Sequence, residues 1–254
     1  MTAQPANLAH FSDAAEVSQR RIELAGALRL AARFGFNEAI DNHFSYALDQ
    51  DRFLINGYGK HWSMLTAGDV LLIDGEGNIL AGEGEVEPTA FHIHRAVHRR
   101  YAEARAVLHT HMPHTTAIAC CEGGRLLPIS QTYCLFHDRI GYDEHYNGMG
   151  DHAQEGDRIA SAMGGRPVAL LASHGPIVTG PTIGQAFSWL YYLERAAELQ
   201  VLAESRGQKL KLLTEDVIRS TQASWDGAPG LHDRHFAALL AMLDREQPEY
   251  RTIS

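Results

Sequence analysis

Two histidines one residue apart, His109 and His111, directly follow the apolar pair Val107-Leu108. Alternate residues of an extended strand project from one face, so a strand ending there aims two imidazoles at the same point. Neutral imidazole nitrogens in that arrangement suit a divalent metal. A third candidate, His174, closes the short apolar run Ala169-Leu170-Leu171-Ala172-Ser173-His174-Gly175, which reads as a second strand end. Three strand-end histidines would leave coordination positions free, as a catalytic metal requires. The chain holds 15 histidines, and ones such as His10, His98 and His232 are read as solvated or hydrogen-bonded side chains.

The chain of 254 residues is 45% hydrophobic, enough for a substantial core, and it contains no linker, repeat or low-complexity tract. One domain is expected over 1–254, with a core over about 20–205 and a helical extension over 206–254. A net charge of −9 with scattered cationic residues argues against a nucleic-acid partner. Residues 1–13 have no basic start followed by an apolar stretch, and no later run approaches the ~20 apolar residues of a membrane span. A cytoplasmic protein without a membrane partner is expected. The three cysteines, Cys120, Cys121 and Cys134, suit a reducing compartment, and the adjacent pair reads as small buried residues.

The elements that would position the histidines follow from periodicity. Ser12 and Asp13 can cap a helix whose apolar positions run from Val17 to Ala32 and which stops near Gly35. Residues 44–48 and 52–55 read as a hairpin, and 70–73 and 78–80 as a second across Gly75-Glu76-Gly77. Pro88 opens a helix that leads into the strand 106–109, and Pro113 starts another. Thr182 caps a long helix, and the tail over 213–243 is amphipathic with a break at Gly227-Ala228-Pro229-Gly230. Helices with a mixed, partly antiparallel sheet imply an α/β sandwich.

Other chemistries lack their residues. A metallo-β-lactamase pattern needs an acid before the last histidine of His109-x-His111-x-x-His114, where Pro113 stands, and a cupin needs a glutamate where Thr115 and Thr116 stand. No G-x-S-x-G elbow, Walker loop or dinucleotide glycine loop occurs. The acidic, glycine-rich stretch 82–87 reads as a solvated turn, with Glu87 held in reserve as a carboxylate ligand.

Taken in order, Asp41-Asn42-His43-Phe44-Ser45, Phe53-Leu54-Ile55-Asn56-Gly57-Tyr58-Gly59, His109-Thr110-His111, Leu127-Pro128-Ile129-Ser130-Gln131, Ser173-His174-Gly175 and Tyr192-Leu193-Glu194-Arg195-Ala196-Ala197 resemble the class II aldolase/adducin family, from about residue 20 to 205. The resemblance implies an α/β/α fold around a largely antiparallel sheet. It also implies a divalent metal, zinc first with manganese or iron as alternatives, on His109, His111 and His174, and a homotetramer with active sites between subunits. The family's sugar-phosphate aldolases carry a serine-serine-glutamate run whose glutamate is the base. Counted back from His109, that run falls on Pro88-Thr89-Ala90, so Ala90 stands where the base is expected. The phosphate-binding G-N-x-S has also lost its glycine, so no phosphorylated sugar is expected. With Gly59-Lys60-His61-Trp62-Ser63, the pattern is closer to adducin-like bacterial members, including decarboxylase- and oxygenase-like proteins of aromatic and aminocoumarin metabolism.

The expected reaction is cleavage of a carbon–carbon bond, by retro-aldol reaction or decarboxylation, in a non-phosphorylated, carboxylate-bearing small molecule, aromatic or aliphatic, with the resulting enolate stabilised by the metal. His94 is expected to take over the missing base function, and Tyr142 and Tyr146 to donate protons. Asn42, Ser45, Lys60 and Thr89 are expected to bind substrate. A non-haem iron oxygenase and a non-catalytic adducin-like binding protein are the competing classes.

Overall fold

The computed structural model describes residues 14–253. The proposed cap at Ser12 and Asp13, and His10, lie outside that range. Among the described residues eight strands form one sheet: β1 (His43–Ala47), β2 (Arg52–Asn56), β3 (Val70–Asp74), β4 (Ile79–Ala81), β5 (Ala106–His109), β6 (Ile140–Asp143), β7 (Val168–Leu171) and β8 (Gly175–Gly180). Their spatial order is β4-β3-β2-β1-β5-β8-β7-β6, antiparallel throughout except for the parallel β6–β7 pair. The two hairpins and the strand over 106–109 lie where their alternation places them. The strand β6 and the helix α4 (Ala153–Ala162) carry no such signal, because Ile140-Gly141-Tyr142-Asp143 is short and interrupted by glycine.

Among the described residues there are seven α-helices, most of them packed on the sheet. On one face, α1 (Ala14–Phe34), α5 (Ile183–Glu204) and α7 (Leu231–Glu246) share a core with Phe44, Leu54, Leu72, Leu108, Leu170 and Val178. On the other, α2 (Pro88–Arg100) and α4 pack Ile93, Val97, Ile159 and Ala160 onto Val107, Ala169 and Ile177, and Ala90 onto Phe53 and Leu71. The strands thus alternate between two apolar layers, which is the α/β/α architecture their residue pattern requires. The remaining helices are α3 (Pro113–Ala119) and α6 (Glu215–Asp226).

Starts and stops have local causes. Pro88 sits at the first turn of α2, where its missing N–H costs nothing, and the Glu87 carboxylate accepts from the Ala90 N–H at 2.7 Å. Thr182 caps α5 by accepting from Gln185 N–H at 3.0 Å. Gly156 lets α4 lie directly on α2, since a Cβ there would meet the His92 carbonyl oxygen at 2.4 Å. The C-terminal segment Pro248–Arg251 is tied to α1 by the buried Arg29, which donates to the Leu65 carbonyl, Gln247 and Glu249.

Two expectations are corrected here. His174 does not end a strand: β7 stops at Leu171, and His174 is the last residue of the turn into β8, with Ser173 at φ 52°. Cys120 and Cys121 are exposed rather than buried, because α3 ends after only two turns and leaves the pair on the following surface turn. No helix among the described residues is long and apolar enough to cross a membrane.

Candidate metal centre

The register of three neighbouring strands builds the centre. His43 of β1 pairs with His109 of β5, and His109 pairs in turn with Ile177 of β8. Cross-strand partners share a face, so His43, Ser45, Val107 and His109 all turn toward α2, away from the Phe44 and Leu108 layer. The chain stays extended past β5, and His111 returns to the His109 side while Thr110 is buried. The β7–β8 turn then brings His174 onto the pair, with ring centroids 4.6 Å from His109 and 4.9 Å from His111. One ligand nitrogen from each of His109, His111 and His174 falls within 4.8 Å of the others.

The glycine after His174 has a steric reason. A Cβ at Gly175 would lie 2.3 Å from the Thr110 carbonyl oxygen and 3.2 Å from the His111 ring, so any larger residue would push the turn off the cluster. Glu194 of α5, one of the signature residues, holds the other flank. Its buried carboxylate accepts from the N–H groups of His114 and Thr115, from the Thr115 hydroxyl and from His114 Nδ1, at 2.6–3.0 Å. This fixes the start of α3 immediately after His111 and removes His114 from the ligand set.

Hydrogen bonds assign the tautomers. His109 Nδ1 lies 2.9 Å from the Pro176 carbonyl oxygen and His111 Nδ1 lies 2.7 Å from the Glu38 carboxylate, acceptors that both require a protonated Nδ1. Each ring therefore keeps its lone pair at Nε2. Those two Nε2 atoms are 3.2 Å apart, and two lone pairs so close repel unless a cation or proton lies between them. Burial and the neighbouring imidazoles hold His109 well below the usual histidine range, and burial followed by His111 pushes His174 down to about 4. Converging ring nitrogens, with the outer nitrogens of His109 and His111 anchored, fit a divalent ion, with His109, His111 and His174 as its holders.

The cluster opens on a cavity of about 460 Å³ lined also by Glu38, Asp41, Asn42, His43, Glu87 and Thr89. Asn42 adopts φ 77° in the turn before β1, its Oδ1 accepting from Glu38 N–H, while its buried Nδ2 has no partner among the described residues. Thr89 donates to Glu87, and both line the cavity. Tyr146 lines it too, half-exposed and edge-on to His174 at 6.3 Å between centroids.

Four expected site residues lie elsewhere. Lys60 Nζ pairs with Asp69 at 2.6 Å and does not line the cavity, because Asp69, at the end of the short helical turn 67–69 just before β3, satisfies it locally. Tyr142, on β6, accepts from Leu126 N–H under the Arg125 guanidinium at a separate surface pocket. His94 and Ser45 have no exposed surface; they are sealed behind His43, so substrate cannot touch either. Glu38, His43 and Thr116 are cavity residues that the residue pattern did not single out, His43 standing only within the quoted Asp41-Asn42-His43-Phe44-Ser45 motif.

Residues 22–201 match the family model described as the Class II Aldolase and Adducin N-terminal domain. An aldolase class 2 protein of Pseudomonas aeruginosa is 32% identical, with 92% of each chain aligned. The decarboxylase NovR of Streptomyces niveus is 27% identical over 84% of this chain and 82% of NovR. The crystal structure of an aldolase II superfamily protein from Pseudomonas syringae superposes with a TM-score of 0.86 at 31% identity, covering 94% of this chain and 97% of that one.

Replacing Glu38 with Gln removes the charged anchor of His111 and is expected to weaken metal affinity about tenfold. Competition with a chromophoric chelator measures this, and an unchanged affinity would contradict the anchoring role. The depressed histidines also set a pH response. His98 and His174 titrate at about 4 when folded against 6.5 ordinarily, so the unfolded chain takes up their protons first. Stability of the chelator-treated protein is expected to be full above about pH 6.5 and to fall as pH drops toward 4. Urea midpoints across that window check it; a flat profile would contradict it.

Proposed function

The chain belongs to the class II aldolase and adducin family, and from that premise we propose that it is a metal-dependent carbon–carbon lyase acting on a non-phosphorylated, carboxylate-bearing small molecule. The observation that carries this reading is the convergence of three imidazoles on one point at the cavity, two of them with their outer nitrogens already anchored. A divalent ion held there supplies a Lewis acid for a substrate oxygen. Zinc is the metal assigned, because a neutral nitrogen donor set suits it, with manganese and iron as alternatives.

The surrounding side chains supply recognition. Asn42 Nδ2 and Thr116 Oγ1 are buried donors without partners among the described residues, and both residues line the cavity. Leaving such groups unpaired is costly, so a bound substrate oxygen accepting from them repays that cost. Thr89 adds a hydroxyl beside the Glu87 carboxylate, which stands one turn before the position of the family's usual base. Tyr146 reaches the cavity from its exposed side and is the phenol assigned to donate a proton to the leaving fragment. No Lys or Arg lines the cavity among the described residues, which disfavours a phosphorylated substrate. The similarity to NovR, named a decarboxylase, supports loss of carbon dioxide beside retro-aldol cleavage as the reaction class. A cytoplasmic homotetramer with active sites between subunits, without nucleic-acid or membrane partners, completes the proposal.

The test incubates zinc-loaded, chelator-treated and His111→Ala protein with a panel of aliphatic and aromatic 2-oxo and 2-hydroxy acids, with and without oxygen. Release of carbon dioxide or an aldehyde by the zinc-loaded protein alone, independent of oxygen, is expected. Oxygen consumption with iron would replace the lyase by an oxygenase. The absence of any metal-dependent turnover would leave a binding protein of the adducin type.

A further inference from the structure

A line of hydrogen bonds leads from the cavity wall into the layer beneath α2. His43 Nδ1 lies 2.6 Å from His94 Nε2, and His94 Nδ1 contacts Ser45 Oγ. Ser45 Oγ lies 2.8 Å from His98 Nε2, and His98 Nδ1 lies 2.8 Å from the Ala104 carbonyl oxygen. The geometry has a sequence basis. His43 and Ser45 are alternate residues of β1, while His94 and His98 are one turn apart on α2, so a strand face and a helix face interleave.

The far end of this line sets its direction. A carbonyl oxygen has no proton to give, so His98 must donate from Nδ1 and keep its lone pair at Nε2. The Ser45 hydroxyl then donates to His98, and its oxygen can only accept from His94 Nδ1. His94 consequently has its lone pair at Nε2, which obliges His43 to donate from Nδ1. Burial keeps His94 well below the ordinary histidine range and His98 at about 4, so neither ring carries the second proton that would break this logic. The last free lone pair in the line is His43 Nε2. His43 makes no other hydrogen bond among the described residues, its ring stacks on His109 with centroids 4.8 Å apart, and it lines the cavity.

We propose that His43 Nε2 is a hydrogen-bond acceptor for a substrate hydroxyl, with the His94–Ser45–His98 line and the Ala104 carbonyl as positioning groups that lock its tautomer. The proposal rests on the lyase reading and narrows the substrate class to hydroxy acids, whose O–H would meet a built-in acceptor beside the metal ligands. An imidazole in the opposite tautomer would present an N–H there and favour a carbonyl or ether oxygen instead.

Two measurements on the zinc-loaded protein test this. In the first, 15N-histidine NMR of the parent, with the His43 signals assigned by their loss in His43→Gln, is expected to show a protonated Nδ1 and a bare Nε2; a protonated Nε2 overturns the proposal. In the second, binding of hydroxy acids is compared with that of their O-methyl analogues. The parent should prefer the hydroxy acid by about tenfold, the value of one net hydrogen bond. Ser45→Ala, which breaks the line without touching substrate, should lose most of that preference and show a mixed His43 tautomer while still binding zinc. Equal affinity for the two ligands in the parent overturns the proposal while leaving the lyase reading intact. Failure of every acid to bind in a metal-dependent way overturns the lyase reading and this proposal with it, whatever the tautomer.

Discussion

The register of β5 between β1 and β8 is the constraint on which the site depends. It sets His109 opposite His43 on one side and beside the Pro176 carbonyl on the other, which gives the first ligand its ring orientation and its tautomer. A slip of one residue would send His109 into the Leu108 layer and bring a leucine to the metal cluster. The apolar contents of the two layers oppose that slip. Leu108 and Phe44 are fully buried under α1 and α5, and Val107 is fully buried under α2, so shifting the strand would misplace a core residue on each face.

Around that fixed strand, the other groups are held by contacts that allow little adjustment. The Glu194 carboxylate gathers four donors at the start of α3 and so stations the segment that follows His111. The absence of a side chain at Gly175 allows the β7–β8 turn to approach Thr110 and seat His174. Buried charges of this kind are retained only where their hydrogen bonds are nearly complete, and removing one partner leaves the rest exposed to a large desolvation cost. The site is therefore preorganised from three directions: the sheet below, α5 to one side and a glycine turn to the other.

Much of this was legible in the residue pattern. The H-x-H at a strand end and the hairpins follow from two-residue alternation, and Pro88, Pro113 and Thr182 mark helix starts by known backbone chemistry. The approach of His174 to the pair could be anticipated only through the family resemblance, because nothing local links a turn to a strand some sixty residues away. Other features could not be read this way. Lys60 looked like a carboxylate binder, yet Asp69 satisfies it, a partner visible only once the helical turn 67–69 folds back beside it. Ser45 and His94 carry polar atoms that suggest contact with substrate, but the sheet–helix interface turns them toward one another and closes them off. His43 stood in a motif but was given no role, because a histidine at a strand start has no special period; its importance comes from the strand beside it.

The central claim is that His109, His111 and His174 hold one divalent ion. X-ray absorption spectroscopy of the zinc-loaded protein tests it most directly, since it reports the number and type of the first neighbours. The account predicts one zinc per chain with three imidazole nitrogens at about 2.0–2.1 Å and oxygen donors completing the shell. A spectrum with fewer than three imidazoles, or zinc held through cysteine sulfur at about 2.3 Å, would contradict it.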